Sequence, residues 1–148
     1  AQFAAALGIA MTVKVKMPRG PDEKVSPDAV YTIRDATDIE RNELPEAISC
    51  IWGGGFRIYP AESLTALVEK FAALKLARLT SPGGMAMLIN ASNVKDCDDG
   101  SAIVDHPNTR SVLSFGTGAT APRIRVREAR SDLIIVWSKL GLNISLFE

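Results

Sequence analysis

Lys75-Leu76-Ala77-Arg78-Leu79 runs through Ser81-Pro82-Gly83-Gly84 into Ile89-Asn90-Ala91-Ser92-Asn93-Val94, and the same pattern occurs once before in the chain. There, Val13-Lys14-Val15-Lys16-Met17 leads through a Pro/Gly turn to Val25-Ser26-Pro27-Asp28-Ala29-Val30. Each copy continues with a polar loop, a β-like run and a Gly-rich turn. Each closes with an Arg-Ile strand (Arg57-Ile58, Arg123-Ile124) and an apolar, helix-like segment. Ser26 to Asn90 and Arg57 to Arg123 are nearly the same interval apart. A repeat outranks other signals because it defines the supersecondary unit from which the fold is assembled. The expected fold is α+β and mainly antiparallel β, with two tandem small β-domains each closed by a C-terminal helix. Residues 12–74 form the first repeat, and residues 75–148 the second with an apolar tail. Neither half buries much surface alone, so the two are expected to pack as a pseudo-dimer. The competing reading is one irregular β-rich domain whose strands happen to recur.

Composition bounds the function. Of 148 residues, 47% are hydrophobic and 23% charged, which supports a folded core and excludes wholesale disorder. Seventeen basic residues balance seventeen acidic ones, which argues against a dedicated histone-like DNA binder. Cys50 and Cys97 are too few for a disulfide framework or a zinc site, and read as buried thiols in a cytoplasmic protein. No apolar run approaches the roughly 20 residues of a membrane span. Residues 1–11 are small and apolar without a basic leader, so they read as an extension or expression remnant, not a secretory signal.

Local patterns fill in the repeat. Val13, Val15 and Met17 alternate with Lys14 and Lys16 at strand period. Residues 29–34 and 47–52 favour strands, and residues 35–45 read as a long solvated hairpin loop. Gly53-Gly54-Gly55 turns the chain, Pro60 suits a first helical turn, and Leu64, Leu67, Val68 and Phe71 form an amphipathic stripe. In the second copy, strands are expected at 76–79, 85–89, 94–97, 111–115 and 123–127. Residues 129–139 read as the matching helix, although Leu133-Ile134-Ile135-Val136-Trp137 fits a buried strand equally. Trp52 and Trp137 fall at equivalent stages and suggest one shared core position. The apolar tail, residues 140–147, pairs either with the body or, by strand addition, with another chain.

The second copy resembles the FlbD/SwrD-like small flagellar proteins. The residues that carry this are Leu76-Ala77-Arg78-Leu79-Thr80, the Gly turn, Leu88-Ile89-Asn90-Ala91-Ser92-Asn93-Val94, Val112-Leu113-Ser114-Phe115 and Val126-Arg127-Glu128. The first copy matches in outline only. The resemblance implies a small β-domain that works by contact instead of catalysis, and similarity of fold does not carry a flagellar role with it.

The candidate binding residues are basic. Arg123, Arg125 and Arg127 alternate along one strand and so emerge on one face, with Arg130 in the next turn and Arg110 before the facing strand. Guanidinium groups in such a ladder suit phosphates or carboxylates. The competing reading pairs them internally with Glu128, Asp132 and other acids. Asp96-Cys97-Asp98-Asp99-Gly100 lacks calcium-loop spacing and reads as an acidic hairpin tip. His106 with Cys97 lacks the partners of a nucleophilic pair. Neither Gly53-Gly54-Gly55 nor Gly116-Thr117-Gly118 has nucleotide-loop spacing. No catalytic residue, metal or cofactor is expected. The sequence therefore points to a non-enzymatic protein-binding module, an adaptor or inhibitor that binds another protein or itself through its long hairpin loops, residues 35–45 and 98–108. The alternative is a nucleic-acid-binding regulator that uses the arginine ladder.

Overall fold

Short alternating runs separated by Gly and Pro produce short strands, ten of them among the residues that the computed structural model describes, 12–101 and 105–148. The expected extension, residues 1–11, lies outside the described residues. Contacts divide the chain into two units, Ala1–Leu74 and Lys75–Glu148. The architecture is α+β, and the strand pairings within each unit are antiparallel.

In unit one, β1 (Val13–Val15) pairs with β2 (Glu23–Val25), and Val15 and Val25 turn inward. A 3-10 turn, Pro27–Ala29, leads into β3 (Val30–Asp35). Next comes α1 (Asp38–Glu43), where a solvated loop was expected. β4 (Ser49–Gly53) pairs with β3 on one side and with β5 (Phe56–Ile58) on the other. The unit ends in α2 (Leu64–Lys70), whose N-cap Ser63 hydroxyl accepts from the Ala66 amide at 3.2 Å. Pro60 lies before this cap, not in the first helical turn. Its carbonyl accepts the Ile48 and Ser49 amides instead. Leu67 and Phe71 are buried with Ile33, Ile51 and Val30, whereas Val68 is 40% exposed, so the apolar stripe is narrower than its sequence suggests.

Unit two repeats this succession. β6 (Leu76–Thr80) pairs with β7 (Ala86–Asn90), and a 3-10 turn, Ala91–Asn93, follows. β8 (Asp96–Asp99), β9 (Ser111–Ser114) and β10 (Arg123–Val126) form a three-stranded sheet with β9 in the centre. The acidic run expected at a hairpin tip is thus a strand, because Cys97 points inward while its aspartates face solvent. Residues 130–139 resolve the helix-or-strand ambiguity as α3 (Arg130–Lys139), with Leu133 and Trp137 buried.

The end of α3 redirects the tail. Gly141 takes φ +73°, its amide bonds Ser138 O at 3.0 Å, and the Leu142 amide bonds Trp137 O at 3.0 Å. This is a Schellman stop, which glycine adopts without a Cβ penalty. The tail then forms a 3-10 turn, Ser145–Phe147, not a strand. Phe147 packs edge-on against Trp137, with ring centroids 5.2 Å apart. Trp52 is not the equivalent of Trp137. It lies half-buried on β4, edge-on to Tyr31 and with Arg57 over its ring. No helix among the described residues is long and apolar enough to cross a membrane.

One tight approach fixes the β3–β5 corner. A Cβ on Gly53 would stand 2.4 Å from the Ala29 carbonyl oxygen, where backbone cannot yield cheaply. Gly53→Ala is expected to cost about 1–3 kcal/mol, read as a lowered urea midpoint. Gly83→Ala, where the nearest atom is 3.9 Å away, should leave the midpoint unchanged.

Candidate functional site

The five arginines singled out from the sequence all lie in unit two, and three of them, Arg123, Arg125 and Arg130, are bonded to carbonyls and carboxylates of the unit itself. Arg123 donates to Ala119 O at 2.9 Å and to Gly118 O at 3.1 Å, closing the β9–β10 turn. Arg125 pairs with Asp105 at 2.5 Å and holds that carboxyl below its ordinary pKa. Arg130 reaches Phe147 O at 2.9 Å, Cys97 O at 3.2 Å and Asp99 Oδ1 at 3.4 Å. Asp105 and Asp99 thus pair with the ladder, while the two acids named from the sequence do other work. Glu128 Oε1 accepts the Thr80 amide at 2.9 Å, and Asp132 Oδ2 accepts the Ala129 amide at the start of α3.

Arg110 and Arg127 differ from the other three in having neither an ion pair nor a bonded terminal nitrogen among the described residues. Arg127 Nε donates to Pro82 O at 2.9 Å, which leaves both terminal nitrogens without a hydrogen-bond partner among the described residues. The exposed Arg110 side chain has no partner among the described residues, while its amide bonds Val126 O at 3.0 Å. With Pro107 and Asn108 they line an open cleft of about 360 Å³.

Unit one carries a second candidate surface, within residues 35–45, where the sequence reading places a binding loop but no helix. α1 has no buried residue, so nothing in the core requires it. Polar contacts build it. The Thr37 hydroxyl accepts from the Glu40 amide at 3.2 Å, and Glu40 Oε1 accepts the Thr37 amide at 2.8 Å, a reciprocal capping box. Arg34 grips Glu40 with both terminal nitrogens, at 2.7 and 3.0 Å. Arg41 holds Ile48 O at 3.3 Å. Held this way, α1 presents Ile39 to solvent at 74% exposure. Thr37-Asp38-Ile39-Glu40 is itself the sequence signature of this cap.

The Cys97–His106 pair does not assemble. Cys97 is buried, its thiol lies 3.9 Å from Asp98 O, and desolvation raises its pKa, so the protonated form prevails. His106 accepts the Asn108 amide at 3.1 Å. Cys50 and Cys97 are both free and buried, and among the described residues no three acidic, His or Cys side chains gather as a metal site. Comparison with known proteins finds no matching family model, no matching curated protein and no matching solved structure.

The clamp on α1 is titratable. The Arg34 hydrogen bond dominates, outweighs partial burial and lowers the Glu40 pKa from 4.5 to about 2. A carboxyl with a depressed folded pKa stabilises the fold above its unfolded pKa, and that stability is lost as pH falls through the folded value. Wild type should therefore lose up to about 3 kcal/mol between pH 5 and pH 2 through this group. Urea midpoints of wild type and Glu40→Gln should differ at pH 6 and converge near pH 2.

Proposed function

We propose that this chain is a non-enzymatic protein-binding module, an adaptor or inhibitor within a larger assembly, built from two tandem copies of one small β-module. The observation that carries the binding role is α1, a helix with no buried residue, capped and clamped by polar contacts, that exposes Ile39. A rigid connection that offers an apolar side chain loses little conformational freedom on binding. Binding by the long loops is modified accordingly. The first loop contributes as a capped helix, and part of the second, residues 102–104, lies outside the described residues.

The shared order of hairpin, 3-10 turn, three strands and helix supports duplication. Likeness to the FlbD/SwrD-like proteins belongs to the same proposal and rests on the second copy's sequence. Pseudo-dimeric packing and a cytoplasmic location are proposed with it. Separate expression of residues 12–74 and 75–148 tests the packing, since a mutually dependent pair should be poorly folded apart and recover on mixing.

The nucleic-acid alternative has weaker support, because Arg123, Arg125 and Arg130 spend donors on carbonyls and carboxylates instead of forming a free basic track. Affinity capture from the source cell, with and without nuclease, separates the two. Capture that survives nuclease and drops at least about tenfold with Ile39→Ser supports the protein-binding reading. Ile39→Ser should shift stability by less than about 0.5 kcal/mol, as expected for a solvent-facing position. Capture that Ile39→Ser leaves unchanged, or that nuclease abolishes, sinks it. Sedimentation of the purified chain identifies a second copy as the partner.

A further inference from the structure

We propose that the cleft between Arg110 and Arg127 in unit two is a binding site for a single oxyanion, phosphate or carboxylate. The site goes beyond the α1 reading and does not rest on it.

The backbone sets the two arginines side by side. Arg110 precedes β9, and its amide bonds the carbonyl of Val126, the residue before Arg127. One backbone oxygen, that of Pro82, then positions the cleft's polar side chains. It accepts Arg127 Nε at 2.9 Å and Asn108 Nδ2 at 3.3 Å. A guanidinium anchored through Nε still presents both terminal nitrogens, the edge that meets an oxyanion with two parallel hydrogen bonds. The Arg127 group lies over Gly84, with Nη2 3.5 Å from where a Cβ would stand, so the turn backs it closely.

The charges around the cleft are not balanced from within. Pro107, Asn108, Arg110 and Arg127 line it, and none is acidic. The nearby carboxylates are committed elsewhere, Asp105 to Arg125 and Glu128 to the Thr80 amide. Two guanidiniums facing one open space of about 360 Å³ attract an anion and repel each other without one. Two are enough to hold one oxyanion. They are too few for a nucleic-acid backbone, which is tracked by a row of phosphate contacts.

The test is a titration followed by NMR of arginine Nε–H and asparagine side-chain signals, at constant ionic strength. Inorganic phosphate and acetate are the probes, and chloride is the control. Saturable movement of the Arg127 Nε–H and Asn108 Nδ2 signals with phosphate or acetate supports the site, and the stronger probe identifies the oxyanion. Affinity should fall at least about tenfold in Arg127→Gln and Arg110→Gln, and stay unchanged in Arg123→Gln. Arg127 also supports the turn at Pro82, so Arg110→Gln, at an exposed side chain, decides the matter if Arg127→Gln unfolds. An equal response to chloride, or an affinity unchanged in Arg110→Gln, overturns the proposal. Oligonucleotide binding that strengthens with length and ignores Arg110→Gln also overturns it.

Discussion

Backbone carbonyls of short strands, turns and the tail, bonded by long cationic side chains, are the interaction on which both units lean. Strands of three to six residues leave many C=O groups without a ladder partner. Long cationic side chains supply the missing donors. Lys70 bonds Lys14 O, Arg41 bonds Ile48 O, Arg123 bonds Gly118 O and Ala119 O, Arg127 bonds Pro82 O, and Arg130 bonds Cys97 O and Phe147 O. Such heads close local turns, as Arg123 does, or tie segments far apart in sequence, as Lys70 and Arg127 do. In a unit of this size, where apolar burial is limited, such ties hold turns and tails to the core.

This use of charge separates what was legible in the sequence from what was not. Alternation located β1 and strand propensity β3, both local properties. The runs read as β6, β7, β9 and β10 fall within a residue of the strands, although β9 is buried throughout and does not alternate. The arginines were legible as a ladder but not as ties, because a bond from Arg130 to Phe147 O depends on where the tail goes. That path depends in turn on the backbone of Gly141, which composition does not reveal. α1 was hidden for a different reason. Its capping signature was present, but charged residues dominate its surroundings and no apolar period marks a helix that buries nothing.

The two candidate surfaces follow from the same economy. Where a cation is consumed by a carbonyl, it organises structure and its charge is muted. Where it keeps free donors, as Arg110 and Arg127 do, the surface has capacity left for a ligand. Apolar side chains follow a parallel logic. Ile33, Ile51 and Leu67 close the interior of unit one, while Ile39 stands on a helix that polar contacts built, outside that interior.

The unlike settings of the two tryptophans have a practical outcome. Trp52 lies in unit one, half open to water with an arginine above its ring, and Trp137 is 1% exposed in unit two, against Phe147. Each unit thus contains its own fluorophore, one polar in setting and one apolar. The redder and bluer parts of the emission spectrum then report on the halves separately, so coincident or staggered melting of the two can be read from one unlabelled sample.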